Sequence, residues 1–316
     1  GYLFIVVRGR ARPARFLDAT PVFSPVASAF PLAPRGFALW RLGSEDPATW
    51  QVLGRKGAPD ADAAAALSSL RAGYDIDYQG HGEVLRVTGT PREGGREVHF
   101  DRTVGEITAS TVQEFPSGYR VTRWGGSESH DIALTFDDGP DPGFTPAILD
   151  VLRSRGAPAT FFVVGENAVA SPALLARIAS EGHEIGNHTY THPNLSEVGD
   201  RRLALEVNAV QRLLESRLGR SSLLFRPPYA EDVEPETPDQ VRPLLATSAL
   251  GYYTVGLDID PGDWKKPGVD EIVRRVLDAA RAGEGHVVLL HDGGGDRSQT
   301  VAALPLSGAS EGRIWL

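Results

Sequence analysis

The chain has no cysteine and no methionine. Without thiols there is no disulfide and no thiolate-held metal, so any metal site must use oxygen and nitrogen ligands. Long apolar runs are missing too. The opening Gly1-Tyr-Leu-Phe-Ile-Val-Val7 stops at Arg8, too short to span a bilayer and without signal-peptide anatomy. It predicts a buried strand. Positive charge is in deficit, with 32 Lys and Arg against 41 Asp and Glu, for a net charge of -9. That argues against a nucleic-acid partner or an anionic membrane surface, both of which select basic patches. With no methionine to start it, the chain is expected to be a piece of a longer protein.

What is present is ordinary globular composition over 316 residues, room for two or three domains and a sizeable core. Three textures suggest domains at 1–57, 58–125 and 126–316. The first is rich in Pro and Arg, with one apolar segment, Gly36-Phe-Ala-Leu-Trp40. The second reads as a small β-rich linker domain. In it Glu83-Val-Leu-Arg-Val-Thr88 and Arg96-Glu-Val-His-Phe100 alternate around Thr90-Pro-Arg-Glu-Gly-Gly95, a hairpin signal. The third alternates apolar runs (132–136, 159–164, 183–187, 223–226, 252–255, 287–290) with amphipathic stretches (145–155, 172–181, 200–218, 269–282). Strand-helix alternation predicts a parallel α/β fold. Gly125-Gly-Ser-Glu-Ser129 is the expected linker.

Polar clusters fall at the C-terminal ends of those runs, the edge where α/β proteins build sites. Thr135-Phe-Asp-Asp-Gly-Pro140 carries two adjacent carboxylates, and His188-Thr-Tyr-Thr-His192 carries two imidazoles four apart. One carboxylate and two imidazoles make three ligands, the number a catalytic zinc-type site keeps. The second carboxylate is left for proton transfer. Asp-Asp-Gly-Pro alone would be a good surface turn; with the histidines it reads as a site. Arg226-Pro-Pro-Tyr229 is stiffened by its prolines and supplies a cation to keep Asp137 ionised. Asp258-Ile-Asp-Pro-Gly-Asp-Trp264 joins acid to an aromatic wall. Leu289-Leu-His-Asp292 ends on an imidazole suited to general-acid work. His81, His99, His130, His183 and His286 belong to none of these clusters. Two glycosylation sequons, at Asn187 and Asn194, are discounted as chance matches.

Taken together, these five patches resemble the motifs of the polysaccharide deacetylase (NodB-homology, carbohydrate esterase) family, in order, across about residues 129–304. The resemblance implies a distorted (β/α) barrel and metal-dependent removal of acetyl groups from amino-sugar polymers of the chitin, peptidoglycan or poly-N-acetylglucosamine type. It implies Asp138, His188 and His192 as metal ligands, for zinc first, with cobalt or nickel as alternatives. It implies Asp137 as the base that takes a proton from the attacking water, positioned by Arg226. His291 would protonate the leaving amine, oriented by Asp263. The Tyr229 N–H would hold the oxyanion, and Trp264 and Leu289 would wall the acetyl methyl. An O-acetyl esterase on acetylated xylan is the alternative activity. A carbohydrate-binding module with a degenerate site is a third reading, disfavoured by the full motif set. The substrate class suggests a place outside the cytoplasm.

Two departures from the family pattern stand out. Ala230-Glu-Asp-Val-Glu-Pro-Glu236 follows the third motif where glycine is common, and residues 307–316 read as neither helix nor strand. The barrel is therefore open to being incomplete at its C-terminal end. The segment Gly36–Pro47 is similar to the last strand of a chitinase-like glycoside hydrolase barrel, as in multidomain deacetylase/glycosyltransferase proteins. Gly73-Tyr-Asp-Ile-Asp-Tyr-Gln79 echoes the signature of those hydrolases, but Ala72 and Gln79 stand where acids are needed. It is read as a linker strand without hydrolase activity.

Overall fold

A computed structural model describes residues 2–7, 10–15, 19, 46, 48–52, 59–72, 75–103, 106–126, 132–230, 235–283 and 285–307. The Gly36–Trp40 segment, most of the expected linker, the acidic residues 231–234 and the tail beyond 307 lie outside them. In chain order the first part comprises β1 (Tyr2–Val7), β2 (Arg10–Arg15), α1 (Ala48–Val52), α2 (Ala61–Ser68), β3 (Ser69–Leu70), β4 (Ile76–Gly80), β5 (Val84–Gly89), β6 (Gly94–Asp101), β7 (Glu106–Glu114) and β8 (Tyr119–Trp124). There follow β9 (Ala133–Asp137), α3 (Thr145–Arg155), β10 (Thr160–Val163), α4 (Gly165–Ala170), α5 (Pro172–Ser180), β11 (Glu184–Asn187), α6 (Asp200–Leu218), β12 (Leu224–Phe225), α7 (Pro238–Ala249), β13 (Tyr253–Val255), α8 (Val269–Ala282), β14 (Val287–His291) and α9 (Ser298–Ser307).

The chain separates into two compact units, residues 1–75 with 89–119, and residues 76–88 with 120–316. In the first, β3, β6 and β7 form a sheet, and α2 packs Ala63 and Leu67 into a small cluster with Ala19 and Ala48. Asp60 caps α2 by accepting the Ala63 N–H at 2.8 Å, which satisfies a donor the helix cannot use internally. Arg96 reaches Asp46 at 2.7 Å, both side chains buried. The hairpin expected between 83–88 and 96–100 does not form. β6 pairs antiparallel with β7, while β5 pairs with β13 and β8 in a different sheet. Alternation marks a half-buried strand but says nothing about its partner.

The second unit holds the site. All six apolar runs expected as strands are strands, β9 to β14. β10 is buried at every position, which is why it reads as a continuous apolar run: a parallel strand covered on both faces has no polar side. The sheet order is β14-β9-β10-β11-β12-β13, all parallel, continued by β5, which pairs antiparallel with β13, and then by β8 and β4. Beyond β13 the chain runs on to Ile259, which bridges Val288 of β14 in parallel. The Ile259 N–H donates to the Val287 carbonyl at 3.1 Å, and Leu289 N–H donates to the Ile259 carbonyl at 2.9 Å. The Asp258 carboxylate takes the N–H groups of His286 and Val287. This closes a ring of six strands, so the barrel is not left open after β14, and α9 follows it.

Helices α3, α6 and α8 match the expected stretches to the residue. α3 has Pro146 in its first turn and ends at Gly156, which takes the left-handed conformation (φ 60°) that stops a helix. It buries Ile148, Leu149 and Leu152 against Phe136 and Phe161, whose rings stack at 5.0 Å. Each such side chain contributes about 1.5–3 kcal/mol on burial. The short α4, and α7 and α9 with internal prolines Pro243 and Pro305, were not expected. A six-residue helix shows too little periodicity, and a proline reads as a break.

Candidate active site

Parallel register brings the C-terminal ends of the strands to one edge. Asp137 closes β9 and is the ladder partner of His291, which closes β14. Asn187 closes β11 beside Phe225 of β12, with His188 and Arg226 just beyond. Residues far apart in sequence therefore meet because each follows a strand end.

Asp138 has a left-handed backbone (φ 73°). Its Oδ1 lies 3.0 Å from His192 Nε2 and 3.5 Å from His188 Nε2. Burial resists ionisation of this carboxyl, but hydrogen bonds from the two imidazoles outweigh it and hold Asp138 well below the ordinary carboxylate range. His188 Nδ1 is 2.7 Å from the Arg226 carbonyl oxygen. A carbonyl only accepts, so Nδ1 carries the proton of that bond, and Nε2 is the nitrogen turned to Asp138's side. That second contact is the usual way a ligating histidine is aimed. The candidate ligand atoms of Asp138, His188 and His192 all lie within 4.8 Å of one another. The set is two nitrogens and a carboxylate oxygen, a donor chemistry zinc-like ions accept, and these three residues could hold a metal ion.

Arg226, fully buried, donates from Nη1 to Asp137 Oδ1 at 2.9 Å and to Thr135 Oγ1 at 2.7 Å. Its Nε and Nη2 donate to the carbonyls of Val255 and Gly256, and its guanidinium lies 4.2 Å over the Phe162 ring. A buried cation needs this many partners. Asp137 Oδ2 is 3.8 Å from His188 Nε2, so the base candidate borders the ligand cluster.

His291 and Asp263 make a second pair. His291 Nδ1 is 2.8 Å from Asp263 Oδ1, and Asp263 Oδ2 takes the hydroxyl of Thr300 at 2.7 Å. Burial disfavours the imidazolium, yet the bond and charge of Asp263 prevail and raise His291 above its ordinary value. Burial likewise opposes ionisation of Asp263, and His291 reverses it, so that carboxyl is lowered.

The expected wall residues are placed as follows. Tyr229 is left-handed (φ 66°), largely exposed, with its ring edge-on to His192 at 4.8 Å between centroids. Trp264 is half-exposed beside Asp263, with the Lys265 ammonium 4.5 Å over its ring. Leu289 is buried two residues before His291, on the same side of β14. Of the acidic fourth patch, Asp258 knits the barrel shut, and Asp260 accepts the Gly262 N–H within its own turn at 2.7 Å.

Several contributors were missed. Asn167 donates to the Asp138 carbonyl at 2.7 Å. Asp292 is buried, with its Oδ2 accepting the Thr145 hydroxyl at 2.6 Å and its N–H donating to the Asp137 carbonyl. Burial above all, aided by the charges of Asp138 and Asp137 and opposed by the Thr145 bond, pushes its carboxyl up to about 7. Glu206 on α6 accepts two N–H groups from the loop between the histidines. Its signal was available: it is an acid on the apolar stripe of a helix, between Leu203 and Val210. Thr145 and Asn167 gave none.

The polysaccharide deacetylase family model matches residues 125–255. A peptidoglycan-N-acetylglucosamine deacetylase of Bacillus cereus is 44% identical over 193 residues, covering 60% of this chain and 84% of the relative. A chitooligosaccharide deacetylase of Sinorhizobium fredii is 41% identical, covering 57% and 84%. The crystal structure of a peptidoglycan N-acetylglucosamine deacetylase in complex with a naphthalenyl N-oxidanyl-benzamide superposes with a TM-score of 0.52 at 37% identity, covering 58% of this chain and 82% of that one. With the motif residues gathered at one barrel edge and these relatives covered along most of their length, the chain belongs to the polysaccharide deacetylase family.

Proposed function

We propose that the protein removes N-acetyl groups from N-acetylglucosamine-containing polysaccharide, with a divalent ion, zinc first, held by Asp138, His188 and His192. The observation that carries this reading is the division of labour between adjacent acids. Asp138 faces two imidazoles while Asp137, next in the chain, is turned onto Arg226. The deacetylase relatives at 44% and 41% identity support the substrate class.

When bound, a divalent ion supplies Lewis-acid polarisation and lowers the proton affinity of water. Asp137 accepts the proton of the attacking water, aimed by its contact with Arg226. The Tyr229 N–H donates to the oxyanion as the acetyl carbonyl becomes tetrahedral. His291, charged through Asp263, gives its proton to the departing nitrogen. Base and acid stand on neighbouring strands, since Asp137 and His291 are ladder partners. Trp264 and Leu289 wall the methyl group. Amide and water thus become amine and acetate. A polymer substrate of this kind places the enzyme outside the cytoplasm; activity confined to the cytosolic fraction of the source cell would overturn that.

Acetate release from N-acetylglucosamine oligomers, peptidoglycan and acetylxylan tests the reading, with the metal content measured on the same sample. Release from the amide substrates should vanish on chelation and return with zinc, cobalt or nickel. Full activity in chelated protein sinks it. Release from acetylxylan alone makes the protein an O-acetyl esterase, which the same groups could serve.

A further inference from the structure

We propose that Glu206 is a positioning residue that sets the metal-binding geometry of His192. The inference rests on the reading above that His188 and His192 are ligands.

The five residues from His188 to His192 turn back sharply, and two of them, Thr189 (φ 67°) and His192 (φ 56°), are left-handed. That conformation is disfavoured for any residue with a Cβ and persists only where its surroundings hold it. Every N–H after His188 in this turn has a partner. Asn187 Oδ1 takes that of Thr189 at 3.0 Å, and Thr189 Oγ1 takes that of His192 at 3.1 Å. The two between them, Tyr190 and Thr191, both donate to Glu206 Oε2, at 3.0 and 2.7 Å. The Thr191 hydroxyl donates to Oε1 at 2.7 Å. On the carbonyl side, Thr189 and Tyr190 accept from Gly165 and Glu166 at the start of α4.

The other N–H acceptors belong to the turn or the strand leading into it. Glu206 alone among them comes from a separate element, α6, which is anchored in the core by Val207, Val210 and Leu214. Its carboxylate is buried and costs desolvation. Charge-assisted bonds to two main-chain donors and a hydroxyl offset that cost. A core position on a helix stripe would ordinarily take an apolar residue. An acid there whose two oxygens grip the connector between two ligands fixes where the second ligand's ring stands. His192 Nε2 rests 3.0 Å from Asp138 Oδ1 in consequence.

The test compares purified parent, Glu206→Ala and Glu206→Gln by zinc dissociation constant, from competition with a chromophoric chelator, and by melting temperature of the metal-free protein. Glutamine keeps one oxygen for the two N–H groups. The alanine variant should bind zinc about 10–100-fold more weakly, and the glutamine variant should stay within about threefold of the parent. A folded alanine variant with the parent's zinc affinity overturns the proposal, whatever its melting temperature, and so does a glutamine variant as weak as alanine. If alanine does not fold, Thr191→Val, which removes only the hydroxyl donor, carries the test; zinc affinity unchanged from the parent overturns it. A parent that binds no zinc overturns the functional reading rather than this one.

Discussion

Asp263 grips His291 twice. One carboxylate oxygen lies 2.8 Å from the ring Nδ1, and the other takes the main-chain N–H of the same residue at 2.9 Å. The ring can then neither rotate nor change tautomer without breaking the pair, and its free nitrogen is left for proton delivery.

Asp263→Asn should therefore move the pH profile of kcat. His291 is raised by Asp263, so its protonated form persists to higher pH in the parent. Without that charge the imidazole titrates lower, and the alkaline limb shifts toward acid. An alkaline limb that stays in place would show that His291 does not supply the proton.

Arg226→Met should destabilise the fold by about 3–5 kcal/mol, because Asp137 is left as a buried charge without its cation. Chemical denaturation measures the loss. Adding Asp137→Asn to the Arg226→Met background should recover part of it, since the stranded charge is gone. No recovery would mean that the carbonyl contacts of Arg226, not the ion pair, carry the effect.

Gly294→Ala should cripple metal binding with little global unfolding. The residue has φ +73°, and a Cβ there would lie 2.3 Å from Asp138 Oδ2. The methyl group must push the ligand aside. We expect zinc affinity to fall by about tenfold or more by chelator competition. Parent-like affinity would show that Asp138 can move without cost.

Asp292 predicts a pH dependence of stability in the metal-free protein. Its folded carboxyl is raised to about 7 from an ordinary 3.8. The folded state therefore holds a proton that the unfolded state has lost. Stability from this group is intact below about pH 4 and declines as pH rises toward 7, by a few kcal/mol at most. Asp292→Asn should flatten that slope in urea titrations across the window. An unchanged slope would assign the pH dependence elsewhere.

Much of this was legible in the chain. Most of the six parallel strands announced themselves because strands covered on both faces are largely apolar, and three long helices because of their amphipathic periodicity. The chemical residues were legible because each sits just past such a run. Partnership was not. Val84–Gly89 was recognisable as a strand, yet nothing local says that it pairs with Tyr253–Val255 rather than with its sequence neighbour. Barrel closure at Ile259 was hidden for the same reason, since a single bridge leaves no pattern. Supporting residues such as Asn167 act through one hydrogen bond to main chain, and a lone amide in a short helix carries no signature.

Arg226 serves two masters. Its main-chain oxygen aligns His188, while its guanidinium anchors Asp137. Any drift at the end of β12 displaces the ligand and the neighbouring acid together, in concert. Evolution can remodel the loops around this cleft freely, but it cannot tune ion affinity and basicity separately through that position.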